Sequence, residues 1–501
     1  MDVHPGHDAA SDDDVRYLER LGYKQQLSRV MGIWPNFALG FTYLSPVVGI
    51  YTLYAYSLAT GGGAMFWALP IVIAGQLMVV LVFGEVVSQY PIAGGIYQWA
   101  RRLNGRGYGW FTAWMYTWAL LVTVAAVAYG AGPYVADLFG ANSTKWFVIG
   151  TAIVLIAIAS VINLFGAQLL AKAALVGLVA EIIGAVVIGL YLLIFKHREA
   201  WSVLVHHQGA TTGSGGYLGA FLAAGLMAIW IFYGFEACGD VAEEVKSPSR
   251  RIPRAMLMTL GVGGAVSALL VLALTLSVPS ITDVTSGKDT DPVNTVFTAS
   301  FGTAAHKLAL LVIVLAFVSC TLAIQAASAR LLFSQGRDGV LPGSSLLSRV
   351  SPRFHMSPWA VAVAFVIPSA IILATYNSPS ALTKIIDFAT VGIYIGFQLV
   401  VLAALMARSR GWKPAGAFTL GRWGLPLNIV ALAYGVGAIV NLSWPRTPGA
   451  AWYDNYIVIV SAVAVAVAGL IYMLLLRPHE KGDAPAGDAV PAAPAAAPAS
   501  P

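Results

Sequence analysis

"AIWIFYGFEACGDVAEE", Ala228 to Glu244, starts as an apolar helix and then sets Gly234, Glu236, Gly239 and Asp240 within a few residues. Exposing a carboxylate to lipid costs at least about 2.5 kcal/mol, so in a membrane Glu236 has to face protein or water. Backbone freed at membrane depth is tolerated only where it is buried in protein or lines a cavity. If the stretch lies in a bilayer, it therefore predicts a helix broken beside an internal site.

The composition puts it there. The 501 residues are 58% hydrophobic and 10% charged, with a mean hydropathy of +0.75. A soluble chain carries about 25% charged residues. Long apolar runs alternate with short polar connections, and a membrane helix needs about 20 apolar residues. About twelve helices are expected, starting near Trp34, Met65, Tyr108, Lys145, Leu170, Tyr217, Pro253, Ala305, Ser357, Thr383, Trp423 and Asp454. The connections are too short for a separate soluble domain, so the fold class is an all-α polytopic membrane protein.

Charge sets the expected orientation. With the N-terminus cytoplasmic, about 22 of the 29 Lys and Arg fall on that side and about 7 on the other. Arg101, Arg102, Arg106, Lys246, Arg250, Arg251, Arg254, Arg408, Arg410, Lys413 and Arg422 make up the core of this excess. The net charge of +6 is thus a topology signal, and no nucleic-acid partner is expected. The polar first 30 residues, with "SDDD", do not resemble a cleavable signal peptide. Both ends are expected in the cytoplasm, with the chain multi-pass in the plasma (inner) membrane.

The cysteines, Cys238 and Cys320, fall in apolar helices and read as buried small hydrophobes. All eight histidines lie outside the expected helix interiors, which disfavours a histidine relay or a histidine-held metal. No metal and no cofactor are expected. The segment Val15–Arg29 has Tyr17, Leu18 and Leu21 at near-helical spacing, as in an amphipathic helix along the membrane face. The Ala/Pro-rich run after Gly482 reads as disordered.

Helix one carries a second interruption, "ALGFTYLSPVVGIYTLYAY", Ala38 to Tyr56. Pro46 lacks an N–H and Gly49 adds freedom; a simple kink and a full break are both open. This interruption in helix one and the one in helix six are five helices apart. An odd number of spans per unit inverts the second unit, and paired interruptions in corresponding helices point to a midplane transport site. The division follows: a cytoplasmic segment 1–33, repeats 34–195 and 196–408, two further helices over 409–476, and a tail 477–501.

Four stretches carry a family resemblance: "LGYKQQLSRVMGIWPNFALGF", "GEVVSQYPIAGGIYQWARRL", "GFEACGDVAEEVKSPSRRIPRAM" and "SARLLFSQGRDGVLP". With the helix layout, the chain resembles the amino acid–polyamine–organocation superfamily of permeases, amino acid/choline transporter type. The resemblance implies a LeuT-type five-plus-five inverted repeat with helices one and six broken, and two extra helices. It also implies secondary active transport of an amino acid or related amine by alternating access, not enzymatic activity.

Each broken helix exposes backbone groups. The N–H groups near Ser45, Val47, Val48 and Gly49, at a positive dipole end, suit a carboxylate. The carbonyls near Trp230, Ile231 and Phe232, flanked by Gly234, suit an ammonium group. In the resembled family an aromatic at the place of Trp230 stacks on substrate. Phe232, Tyr233, Trp114 and Trp118 are further candidates, with plain helix packing as the alternative. Glu236 either caps the inner half of helix six or gates, and Glu85, near the end of helix two, is a second gating candidate. The basic "VKSPSRRIPRA" run reads mainly as juxtamembrane charge, with Glu85, Glu243 and Glu244 as candidate partners. Asp387, about five residues into helix ten, is open to an interfacial place.

Glu181 lies about twelve residues into a helix of roughly 26, close to the midplane. An ionised carboxylate there is costly unless a cation pairs with it, and Lys172 is more than two turns away. Such a group can load a proton on one side and release it on the other, so the proton is the expected coupling ion. The alternatives are sodium held by carbonyls of Leu44 and Val47 with Ser319 or Thr321, and a purely structural Glu181. An intramembrane enzyme lacks any HExxH or GxSxG motif here. A channel and a transporter-like sensor are the remaining competitors. The oligomeric state and the choice among amino acids, choline, ethanolamine and polyamines stay open.

Overall fold

The computed structural model describes residues 9–490 apart from 211–215, 354–355, 375, 377–380, 447–448 and 450. Among the described residues, ten helices are long and apolar enough to cross a membrane, and two shorter apolar helices complete the series. In chain order they are Ile33–Gly61, Gly63–Gln89, Arg106–Phe139, Lys145–Leu164, Ala167–Phe195, Gly216–Ile231, Pro248–Ser277, Thr303–Arg337, Pro358–Ala374, Lys384–Ser409, Gly421–Ser443 and Ile457–Leu476, here helices one to twelve. The expected starts lie close to these; the largest offset is Pro253 against Pro248, because "SPSRRIP" is already helical with Pro248 in the first turn.

Burial orders the helices. The most apolar window of helix one is 94% buried, against 28% in helix eleven and 17% in helix twelve. Helix one thus runs through the protein interior, while the last two helices present Leu425, Ile429, Val436, Val440, Leu474 and Leu475 outward as a bilayer-facing surface. Helix one packs between helices five, seven and eight, and helix three lies along helix ten. At the crossings glycine permits close approach. A Cβ on Gly177 would lie 2.4 Å from Ser319 Cβ, which brings helix five onto helix eight.

Both termini depart from expectation. The N-terminal helix covers Ala9–Arg20 and ends before Gly22, whose φ is +89°. Leu18, Leu21 and Tyr23 are buried against the basic end of the bundle, so the amphipathic face meets protein instead of lipid. Tyr17 Oη donates to the Gln89 carbonyl at 2.8 Å, and Ser247 N–H donates to Asp14 at 2.7 Å. The chain then extends to Met31, which pairs in parallel with Val245. At the other end, Arg102 meets Asp488 at 3.0 Å and Gly487 N–H donates to the Arg101 carbonyl at 2.9 Å. The tail therefore folds back onto the bundle as far as residue 490; residues 491–501 lie outside the described residues.

Candidate functional site

Helix one is broken outright. Its halves are Ile33–Leu44 and Pro46–Gly61, joined by Ser45 in the left-handed region at φ 43°. A non-glycine residue there is strained, a condition that concentrates at functional sites. Pro46 starts the outer half, where its missing N–H costs nothing.

The expected free N–H groups are not free. Val47 N–H donates to Glu181 Oε2 at 3.1 Å, Val48 N–H to Ser45 Oγ at 3.1 Å, and Gly49 N–H to the Ser45 carbonyl at 3.0 Å. The Ser45 hydroxyl itself donates to Glu181 Oε1. The anion at this positive helix end is thus the chain's own carboxylate, brought from helix five. Glu181 is fully buried, and its donors among the described residues are the Ser45 hydroxyl and the Val47 N–H. A π-helical turn, Ile182–Val187, follows it directly. Such single-turn insertions are frequent at functional sites.

Helix six is broken between Ile231 and Ala237. Gly234 sits at φ +103°, a conformation that L side chains rarely adopt. Its N–H donates to Glu236 Oε2 at 2.8 Å, and Tyr116 of helix three donates to Glu236 Oε1 at 3.0 Å. Glu236 is thus a buried cap on the break. The Ile231 carbonyl is also engaged, accepting from Tyr233 N–H at 3.1 Å. One turn past Glu236, Asp240 is fully buried and neither of its oxygens accepts a hydrogen bond among the described residues.

The two breaks cross. A Cβ on Gly49 would lie 2.5 Å from Ile231 Cγ1, and one on Gly234 would lie 2.6 Å from the Leu44 backbone nitrogen. Each glycine admits the other helix's break. Between them is a void of about 10 Å³ lined by Tyr43, Leu44, Val48, Gly49, Thr123, Val127, Trp230, Tyr233, Cys320 and Ile324. A space of that size holds about one water molecule, so the site is closed. Trp230 meets Tyr233 edge-on at 5.7 Å, and Tyr233 meets Tyr43 edge-on at 6.0 Å.

The path to the basic end is sealed by ion pairs. Arg330 of helix eight binds Glu244 at 2.8 and 3.2 Å, and Arg337 binds Glu243 at 2.8 and 3.0 Å. Asp338 takes Arg101, with Tyr97 at 2.8 Å and Gln98 at 3.0 Å. Tyr23 of the N-terminal segment also donates to Asp338, and burial together with that carboxylate holds its phenol well above the usual range. The arginines that pair with "EE" thus come from "SARLLFSQGRDG". Two-pronged guanidinium–carboxylate pairs of this kind fix geometry as well as charge.

The expected site residues separate into groups. Ser45, Val47, Val48 and Glu181 are joined by hydrogen bonds, while Gly49 and Trp230 face the void with Val48. Ile231 touches Gly49 from behind, Gly234 and Glu236 form the helix-six cap, and Phe232 is fully buried. Glu85 is elsewhere: it pairs with Arg408 and accepts the Leu420 N–H at 2.7 Å, clamping helix two to the turn before helix eleven. Trp114 stacks on Trp110 and Tyr472 and donates to the Val465 carbonyl at 2.9 Å. It is packing against helix twelve, and Trp118 meets it edge-on at 6.0 Å. Tyr43, Tyr116 and Thr123 escaped the sequence reading, and Cys320, read there only as a buried small hydrophobe, lines the void. The seven-residue spacing of Tyr116 and Thr123, two turns of one helix face, was the available signal for helix three.

A family profile described as "Amino acid permease" matches residues 32–468. The amino-acid permease BAT1 of Arabidopsis thaliana is 25% identical over 91% of this chain and 92% of its own length. The BAT1 homolog of Oryza sativa subsp. japonica is 25% identical with the same coverage. A Candida albicans protein provisionally named a polyamine transporter is 23% identical over 88% of this chain and 83% of its own. Among solved structures, a manganese transporter of Eremococcus coleocola superposes with a TM-score of 0.57 at 13% identity, over 95% of this chain and 97% of that one. That likeness speaks for the fold alone, an inverted repeat of the LeuT type.

Proposed function

Because the chain belongs to the amino acid permease family, within the amino acid–polyamine–organocation superfamily, we propose that this transporter carries an amino acid together with a proton. It is a multi-pass membrane protein and not an enzyme; the plasma membrane, with both termini cytoplasmic, is the location that the distribution of Lys and Arg supports. Residues 34–195 and 196–408 serve as the two repeats that rock against each other.

One observation carries the reading: the buried chain of bonds from Val48 N–H to Ser45 Oγ and from the Ser45 hydroxyl to Glu181. Val48 borders the void, and Glu181 lies behind it, on the helix-five side. When Glu181 takes a proton, the negative charge at this helix end disappears and the carboxylate of a substrate replaces it there. Two carboxylates sharing one site cannot both ionise cheaply, so loading of proton and substrate are linked. The ammonium end then meets the Trp230, Tyr233 and Tyr43 faces, which favour a cation. On this account a carboxylate-free amine such as choline or a polyamine is the second reading, favoured by those same aromatic faces.

Two measurements test the function. Purified protein in liposomes is expected to take up at least one amino acid saturably, with a thermal-shift screen choosing the panel. Negligible uptake across amino acids and amines by folded, inserted protein contradicts the transporter mechanism. Trp230→Ala is expected to weaken the preferred substrate about tenfold and reorder the panel, since a cation–aromatic contact is lost. Unchanged affinities and order make Trp230 a packing residue.

A further inference from the structure

Away from the transport site, a cavity of about 540 Å³ opens at the basic end of the bundle between helices two, ten and eleven. Its walls include Arg408, Lys413 and Arg422, with Glu85 as a carboxylate among them and Leu405 and Leu425 on its apolar side. The geometry points to a binding site for the phosphate headgroup of an anionic phospholipid.

Three features converge. First, the charge is unbalanced: Glu85 is committed to Arg408 and to the Leu420 N–H, which leaves Lys413 and Arg422 to face the cavity as cations without that carboxylate. Second, the cavity is built by an ordered turn. Trp412 Nε1 and Ala415 N–H both donate to Gln89 Oε1 at 3.1 Å, and Phe418 N–H donates to Ser88 Oγ at 2.8 Å, so the turn over 411–420 is pinned to helix two. The Arg408 guanidinium lies 5.0 Å over the Trp412 ring and that of Arg422 5.6 Å over Trp423. Third, the apolar wall continues into the bilayer. Leu425 is 51% exposed, and Ile429, Val436 and Val440 extend the same outward stripe along helix eleven, while Trp423 stands exposed at its start. Acyl chains fit that stripe while the phosphate reaches the basic residues; exposed tryptophan at this level is an interfacial anchor. A soluble phosphate has the same charge but gains nothing from the stripe.

The site has a structural consequence. Arg408 is shared between Glu85 and the cavity, so a bound phosphate and Glu85 meet on one guanidinium, at the clamp that joins helix two to helices ten and eleven.

The test uses the whole protein in detergent with phosphatidylglycerol and phosphatidylcholine in equal amounts, read by native mass spectrometry. Wild type is expected to retain phosphatidylglycerol in preference. Lys413→Gln with Arg422→Gln is expected to weaken that retention about 25-fold, about fivefold for each charge. Lys413 is exposed in the pinned turn and Arg422 is exposed in the first turn of helix eleven, so the fold survives, and Arg422→Lys is expected to keep most of the binding. Equal retention of the two lipids by wild type, or unchanged retention in the double variant, overturns the site. Glycerol phosphate that displaces the lipid at equal concentration shows the ligand to be a soluble phosphate and overturns the lipid assignment.

Discussion

Gly234→Val is expected to reduce uptake to background while the protein still reaches the membrane. Gly234 stands at φ +103°, and a Cβ there would come within 2.6 Å of the Leu44 backbone nitrogen and 3.0 Å of Leu44 Cα. A strained backbone of this kind costs about 1–3 kcal/mol, and backbone atoms have no rotamer by which to move aside. The displaced element is the helix-one break itself, so Ser45 and the bonds to Glu181 shift with it. Gly49→Val is expected to be damaging but milder. Its nearest obstacle is Ile231 Cγ1 at 2.5 Å, a side-chain atom that can rotate, with Ile231 Cα at 3.4 Å. Initial uptake rates, normalised to protein at the membrane, decide the matter. Wild-type rates in Gly234→Val show that the breaks do not form the site.

Glu181→Gln is expected to keep substrate exchange and lose accumulation driven by a proton gradient, about tenfold for each pH unit of gradient at one proton per substrate. Glutamine keeps one carbonyl oxygen to accept the Val47 N–H, and its amide NH2 meets Ser45 Oγ as a donor, so the cap on helix one survives with the hydroxyl turned to another acceptor. What it removes is the ability to lose a proton. Exchange needs loading and reorientation but no net proton movement, and so it persists. Accumulation surviving intact in Glu181→Gln removes this residue from coupling. Loss of exchange as well makes Glu181 a structural cap.

Much of this layout is local in the sequence. "LSP" in helix one and "GFEACGD" in helix six announce the breaks because proline and glycine act on their own turn of backbone. Hydropathy places the helices because a span needs only an unbroken apolar run. What fills the breaks is not local. Ser45 and Glu181 are 136 residues apart, and only the packing of helix five against helix one shows that the chain supplies its own anion. Likewise Glu243 and Glu244 lie next to a basic run, yet their partners are Arg337 and Arg330, 94 and 86 residues away. The amphipathic N-terminal segment misleads for another reason: its spacing shows an apolar face, but lipid and protein are equally good cover for one. Trp114 is similar, since aromatic character alone does not separate a substrate contact from a seam between helices three and twelve.

The central claim is that a carboxylate behind the helix-one break couples a proton to the substrate at the crossing of the two breaks. The most direct measurement is substrate accumulation in sodium-free liposomes, acidic outside and neutral inside, compared with the same liposomes at equal pH. Accumulation above equilibrium that appears with the acid gradient and collapses when a protonophore is added is the predicted result. Accumulation that requires sodium and ignores the pH gradient contradicts it.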